Sequence, residues 1–167
     1  MWQEELERLI PLLGHRNWIA VVDKAFPLQS SEGIITLDSG EAIDTVLEKT
    51  VAMVSKAPHL KPIYYLDAEL EVMNDGLAPG VEKLKNAYSE KLAGCEVNQI
   101  LHDGIFEKFS EACKTFSVVI IKTECCIPYS SIFINLDCGY WNSEAEKKLR
   151  ELLTSCCSSC TERGSAR

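Results

Sequence analysis

Apolar residues along this chain alternate between helical spacing and short continuous runs. Between residues 3 and 13, leucines and isoleucines recur at intervals of three and four, which predicts an amphipathic helix. Residues 18–22 (Trp-Ile-Ala-Val-Val) form instead an unbroken apolar run. Such a run predicts a strand that is buried on both faces.

The same patterns divide the rest of the chain into further helices and strands. Helices are expected over 40–57, 79–92 and 105–115 and from Ser143 onward, and strands over 33–38, 62–67, 95–101, 117–121 and 131–136. Because strands alternate with helices, the sequence predicts an α/β layered domain with a largely parallel central sheet flanked by helices.

Composition narrows the class of protein. The 167 residues suffice for one domain with a real core, and 46% apolar and 25% charged residues are ordinary for a folded soluble protein. A net charge of −8 argues against a nucleic-acid or membrane-surface partner, since both favour a basic face. The first residues are acidic, unlike a secretion signal, and no apolar run is long enough to cross a bilayer. We therefore expect a cytoplasmic protein.

The chain contains eight cysteines, and reduced thiols are expected in the cytoplasm. Cys95, Cys113 and Cys138 lie in or beside apolar stretches and are interpreted as core residues. The segment 156–160 contains one C-x-x-C pair, which zinc could bind, but no second ligand pair accompanies it. We therefore expect no metal, and a thiol or metal-binding protein remains the weakest hypothesis.

A lone histidine, His15, lies in a glycine-containing turn directly before the strand at 18–22, and Asp23 follows that strand. An imidazole titrates near neutral pH and is suited to moving protons. A carboxylate at the strand end can accept hydrogen bonds from the hydroxyl groups of a ligand. A turn histidine with a strand-end cap would explain the same residues.

A second candidate segment is the polar and aromatic loop between the last two predicted strands. Loops held between strands often present groups that contact a ligand, and Glu124 and Tyr129 could face one cleft. An ordinary connection between strands is the alternative. The chain lacks a glycine-rich phosphate loop, a G-x-S-x-G elbow and an H-E-x-x-H pair. These absences disfavour nucleotide-dependent enzymes, hydrolases of that type and zinc proteases.

Two blocks of sequence carry a resemblance to a known family. The first block is L-G-H at 13–15, V-D at 22–23 and A-F-P at 25–27, and the second is F-E-K-F at 106–109, V-V at 118–119, E-C at 124–125 and P-Y-S-S-I-F-I at 128–134. In order and spacing, these blocks resemble the ribose pyranase and fucose mutarotase family (RbsD/FucU-like) over residues 4 to about 139. Residues 40–100 match that family only in pattern.

The resemblance implies an RbsD/FucU-like α/β fold, ring-like homo-oligomers (often decamers) and an active site shared between neighbouring subunits. Family members interconvert the anomers or ring forms of a free monosaccharide without a cofactor. By position, His15 matches the catalytic histidine and Asp23 the sugar-binding aspartate. Tyr129 matches the tyrosine of the sugar-binding turn. A histidine suits this chemistry, since opening a cyclic hemiacetal moves two protons.

The chain departs from the family pattern at several positions. Ser131 stands where the family has asparagine, which replaces an amide by a shorter hydroxyl. The family's sugar-contacting histidine or arginine aligns with Phe106 or falls near Lys108. His102 can take that role only if its helix begins one turn earlier than the expected start at residue 105.

The resemblance also predicts how the chain is divided. We expect a sugar mutarotase domain over 1–141 and a C-terminal helical extension with a Cys-rich tail over 142–167. Two hypotheses about function follow, beside the thiol hypothesis above. The presence of both His15 and Asp23 at the motif positions favours a mutarotase or pyranase, whereas Ser131 and Phe106 favour a non-catalytic sugar-binding or regulatory relative.

Overall fold

In the computed structural model of the protein, six strands form a single sheet with helices on both faces. The structure describes the backbone of residues 1–161 and the side chains of residues 1–154. The helices are α1 (Trp2–Leu9), α2 (Ile43–Val54), α3 (Ala68–Val72), α4 (Val81–Lys91), α5 (His102–Cys113) and α6 (Ser143–Thr161), and the strands are β1 (Trp18–Val22), β2 (Ile34–Asp38), β3 (Leu60–Asp67), β4 (Val97–Ile100), β5 (Val118–Lys122) and β6 (Ile132–Cys138).

The strand order across the sheet is β2-β5-β1-β6-β3-β4. The pairs β2–β5, β5–β1 and β3–β4 are parallel, whereas β6 is antiparallel to both of its neighbours, β1 and β3. The predicted α/β domain with a largely parallel sheet is therefore confirmed. Because β6 runs in the opposite direction, its first residues lie beside the carboxyl ends of β1 and β3.

The sheet separates two apolar clusters. On one face Ile19 and Val21 pack with residues of α1, α2 and α4. On the other face Trp18, Ala20 and Val22 pack with α5 and with a group of aromatic rings. All five residues of β1 are buried, as its unbroken apolar run predicts.

Several predicted boundaries shift for identifiable reasons. The first helix ends at Leu9 and continues as a 3-10 turn through Leu12, which contains Pro11, a residue without a backbone donor. Helix α4 begins at Val81, because Gly80 before it has a φ of 92°. The short helix α3 was not predicted. Helix α5 begins at His102, three residues before the expected start at Ile105.

The described cysteines differ in burial, and the C-terminal helix extends further than expected. Cys113 is buried against α5's aromatic neighbours and Cys95 packs beside the other cluster, as expected, whereas Cys138 is half-buried. Helix α6 continues to Thr161 and so includes the Cys-rich segment 156–160, which was expected to follow the helix; the side chains of that segment lie outside the described residues. None of the helices that the structure describes combines the length and apolar character of a membrane span.

The aromatic cluster beneath α5 provides a test of the fold. Phe133 is fully buried, and its ring centroid lies 5.2 Å from that of Phe109 and 6.0 Å from that of Phe106. We expect Phe133→Ala to lower the free energy of unfolding by about 3–5 kcal/mol, because it leaves a cavity in a closely packed cluster. The measurement is urea unfolding followed by circular dichroism.

Tyr140→Ala is the matched control, because Tyr140 is 80% exposed. That variant should stay within about 0.5 kcal/mol of the wild type. A loss below about 1 kcal/mol for Phe133→Ala would show that the cluster can collapse around the missing ring and is not closely packed.

Candidate functional site

Asp23 and Ser131 meet where β1 ends and β6 begins. We call this end of the strands the Asp23 edge of the sheet. The Ser131 hydroxyl donates to Asp23 Oδ2 at 2.8 Å, and Asp23 Oδ1 accepts from the backbone N–H of Ala25 at 2.9 Å. The backbone N–H of Asp23 donates in turn to Ser131 Oγ at 3.2 Å. Ser131, which is 3% exposed, therefore uses its one hydroxyl proton to hold the Asp23 carboxylate in place.

A third residue at this edge, Asp67, was not among the candidates from the sequence. It is the last residue of β3 and is 1% exposed. Its Oδ2 lies 3.0 Å from His102 Nδ1, while its Oδ1 has no hydrogen-bond partner within the described residues. The available signal was its position, since Asp67, like Asp23, directly follows a run of apolar residues, here 63–66.

Burial raises the pKa of Asp67 to about 6, against an ordinary value of 3.8. The adjacent imidazole of His102 counteracts this rise, whereas the charges of Glu69 and Asp23 add to it. Asp67 is thus an acid whose proton affinity is tuned close to neutral pH, which is common in active sites.

His102 lies at the same edge because α5 begins there. Both carboxylate oxygens of Glu69 accept from the backbone N–H of His102, at 3.1 and 3.0 Å, and a carboxylate at this position stabilises a helix N-terminus. The imidazole is 38% exposed, and within the described residues its Nε2 has no hydrogen-bond partner. The earlier helix start, which the sequence left as a condition, brings His102 into the site.

The turn after residue 127 places Tyr129 over His102. The two rings are perpendicular, with centroids 5.3 Å apart, and Tyr129 is 39% exposed. Tyr129 has a φ of 58°, a strained conformation for a bulky residue and one often found at functional sites. The turn is fixed from below by the buried Tyr88, whose hydroxyl donates to the Ser130 carbonyl at 2.7 Å. Burial raises the pKa of Tyr88 well above its ordinary value, so this donor keeps its proton.

Phe106 forms an apolar wall of the site, with its ring centroid 4.5 Å from that of His102 and 5.5 Å from that of Phe26. Phe106 therefore contributes a packing surface where the family pattern has a polar side chain. Lys108 lies further along α5 with an exposed side chain, and no contact joins it to these groups in the part of the chain that is described.

Glu124 lies in the loop between β5 and β6. It pairs with Lys24, Oε1 to Nζ at 2.5 Å, and borders a cleft of about 290 Å³ between α2 and α4. Asp23 and Lys24 line a separate cleft of about 340 Å³ beside the turn at 126–128. The expectation that Glu124 and Tyr129 face one cleft finds no support in these linings.

His15 lies at the opposite edge of the sheet from Asp23. Its Nδ1 is 2.7 Å from Asp137 Oδ1, and its side chain is 54% exposed. The five residues of β1 separate the two edges, a distance of roughly 17 Å at about 3.3 Å per residue. One chain therefore brings together Asp23, His102 and Tyr129, but not His15.

The charges at the Asp23 edge are mostly negative. Asp23, Asp67 and Glu69 are grouped there, and Lys24 is paired with Glu124 and lies 3.8 Å from Asp38. Among the residues that the structure describes, no group of three or more histidines, cysteines or carboxylates is arranged to hold a metal ion. Carboxylates, an imidazole and aromatic faces are suited to a polyhydroxylated ligand with apolar C–H surfaces.

Comparison with known proteins identifies the family of the chain. The model of the RbsD / FucU transport protein family matches residues 1–139, and the chain therefore belongs to that family. Helix α6 lies beyond the matched residues. No curated protein sequence matches the chain.

Two solved structures illustrate the similarity of the fold. RbsD from Bacillus subtilis, complexed with D-ribose, is 16% identical, with a TM-score of 0.55 over 80% of this chain and 91% of its own. The fucose mutarotase from Streptococcus pneumoniae, in complex with L-fucose, is 16% identical, with a TM-score of 0.54 over 80% and 91% of the two chains.

The buried Asp67 carboxylate should affect stability in a pH-dependent way. Because its folded-state pKa of about 6 lies above the ordinary 3.8, its contribution is fully present below about pH 4 and is lost as the pH rises through 6. Asp67→Asn has no such proton to lose. At pH 7.5 we expect the variant to be more stable than the wild type by up to about 3 kcal/mol, measured by urea unfolding.

Measuring the free energy of unfolding at both pH 4 and pH 7.5 isolates the contribution of Asp67. Glu111→Gln removes an exposed carboxylate near the other end of α5 and should leave the wild-type difference between the two pH values unchanged. Asp67→Asn would contradict the account if it lost as much stability as the wild type between these pH values.

Proposed function

We propose that this protein interconverts the anomers or ring forms of a free monosaccharide by general acid/base catalysis. The observation that carries the proposal is the grouping of Asp23, His102 and Tyr129 at one edge of the sheet, in a chain of the RbsD / FucU family. The Asp23 carboxylate, fixed in place by Ser131, can accept hydrogen bonds from sugar hydroxyls. Tyr129 offers both a phenol and an aromatic face.

The reaction requires two proton transfers and no redox or group-transfer step. Opening a cyclic hemiacetal removes a proton from the anomeric hydroxyl and delivers one to the ring oxygen, and closing on the other face of the carbonyl gives the second anomer. A histidine can act as base in one direction and as acid in the other. In our proposal His15 is the catalytic histidine of this exchange.

His15 reaches a sugar at Asp23 only from another copy of the chain. Within one chain the two residues lie at opposite edges of the sheet, roughly 17 Å apart at about 3.3 Å per residue. His15 is also exposed, with Asp137 orienting its ring through Nδ1, so that Nε2 is directed away from that contact. We therefore propose a homo-oligomer in which His15 of one subunit completes the Asp23 site of the next.

The charges favour a neutral sugar over a sugar phosphate. Asp23, Asp67 and Glu69 would repel a phosphate group, and Lys24, which follows Asp23 in the chain, is engaged by Glu124. Relatives solved with D-ribose and with L-fucose hold unphosphorylated sugars of this kind. The identity of the sugar depends on how Phe106 and Ser131 reshape the site.

A second candidate function is sugar binding without turnover. It is favoured by Ser131, whose hydroxyl is committed to Asp23 and leaves no amide to hold the sugar. Such a protein would bind a free sugar at the same edge but would not accelerate its anomer exchange.

Saturation-transfer NMR against a panel of free aldoses separates the two candidates. We expect at least one aldose to show accelerated exchange between its anomers or ring forms, and its phosphorylated derivative to show none. His15→Ala should reduce that exchange by roughly a hundredfold or more, because it removes a general acid/base group.

Circular dichroism of His15→Ala, expected to match the wild type, shows that the fold is kept. Binding of an aldose with no accelerated exchange by the wild type would favour the non-catalytic candidate. Unchanged exchange in His15→Ala would return His15 to a structural turn residue.

A further inference from the structure

We propose that Asp67 is a positioning residue that fixes the imidazole of His102, and that His102, so held, is the second proton-transfer group of the site. The second half of this inference, the proton-transfer role of His102, rests on the proposed function. Its first half, the orientation of the ring, is a property of the folded protein alone.

Three contacts determine how the His102 ring lies. Asp67 Oδ2 holds Nδ1 at 3.0 Å, which turns Nε2 to the opposite side of the ring. The rings of Phe106 and Tyr129 pack against the imidazole at centroid distances of 4.5 and 5.3 Å. Glu69 binds the backbone N–H of the same residue. Ring and backbone are therefore fixed together, while the side chain remains 38% exposed.

The hydrogen bond to Asp67 also determines which nitrogen carries the proton. A carboxylate accepts from Nδ1–H, so the neutral ring presents an unprotonated Nε2 and the charged ring presents Nε2–H. Either form offers Nε2 to a ligand beside Tyr129 and Asp23. A buried aspartate that orients an imidazole in this way is a recurring device for proton transfer.

Proton balance gives the two histidines complementary roles. His15 of one subunit takes the proton of the anomeric hydroxyl, the carbon–ring oxygen bond breaks as the carbonyl forms, and the ring oxygen takes the Nε2 proton of His102. Closing the ring on the other face reverses both transfers. No proton is gained or lost over the cycle, and no co-reactant is consumed.

The titratable groups around the Asp67–His102 pair come from four elements. Asp67 from β3, Glu69 from α3 and Asp23 from the end of β1 are carboxylates, and Tyr129 from the turn packs against the imidazole. Above pH 6 the carboxylate of Asp67 is ionised and accepts from Nδ1–H of His102. Nε2 is therefore the atom of His102 that is left to give or take a proton.

The ring orientation can be measured without any sugar. The chain has three histidines, so 15N-detected NMR of the side chains gives three separate patterns. In the wild type the neutral His102 ring should be protonated at Nδ1. In Asp67→Ala it should become a mixture of the two tautomers, because the carboxylate that accepts from Nδ1–H is removed.

Glu69→Gln is the matched control for charge. It removes a carboxylate from the same helix end, but that carboxylate contacts the backbone and not the ring. The tautomer of His102 should be unchanged in this variant. His59, whose Nε2 lies 3.2 Å from the Leu13 carbonyl, serves as an internal reference in every spectrum.

The second half of the inference is tested on the reaction. With an aldose that the wild type interconverts, Asp67→Asn should lower the exchange rate by about tenfold or more and change its pH profile, because residue 67 no longer titrates near pH 6. His102→Gln should lower the rate by about a hundredfold. Circular dichroism confirms that each variant is folded.

Each outcome decides one half. An unchanged His102 tautomer in Asp67→Ala would overturn the positioning role, whether or not the protein is active. A changed tautomer with an unchanged rate and pH profile would overturn the proton-transfer role. If the wild type shows no exchange with any aldose, the proposed function and the proton-transfer role fail together, while the NMR result still decides whether Asp67 positions the ring.

Discussion

β6 runs antiparallel between β1 and β3, two strands that are parallel to each other, and this direction places the start of β6 beside the ends of both. Ser131 precedes β6 and bonds Asp23 at the end of β1. Asp137, near the other end of β6, bonds His15 at the start of β1. β6 and the residue before it therefore support both edges of the sheet, while the length of β1 separates His15 from Asp23.

The Asp23 edge combines rigid support with polar groups that are not fully satisfied. Tyr88 and Ser130 fix the turn that carries Tyr129, although that residue lies in a strained backbone conformation. Asp67 is buried, and one of its oxygens has no hydrogen-bond partner among the described residues, which costs stability when the carboxylate is ionised. Natural proteins retain such costs mainly where a group serves a function, and Asp67 lies directly behind an exposed imidazole.

Local pattern predicted most of the fold and part of the site. The unbroken apolar run of β1, bounded by Asn17 and Asp23, predicted that strand to the residue. The start of α5 escaped prediction because His102, Asp103 and Gly104 carry no apolar signal, and the carboxylate that caps them comes from Glu69. A cap supplied from another element is invisible to an analysis of neighbouring residues.

The same limit applies at the site. Asp67 and His102 are 35 residues apart, and only the parallel register of β3 and β4 brings them together. Ser131 takes its place in the motif from the sequence, but the hydrogen bond by which its hydroxyl holds Asp23 spans 108 residues and is seen only in the fold.

In the proposed homo-oligomer, a working site combines His15 of one subunit with Asp23 of another. The most direct test is to co-express His15→Ala and Asp23→Asn chains with different tags, purify the mixed oligomers and measure aldose exchange by NMR. Each variant alone should be inactive. Since about a quarter of the interfaces in a random mixture join two intact halves, the mixed oligomers should recover about a quarter of the wild-type rate. Mixed oligomers as inactive as either parent would contradict the shared site.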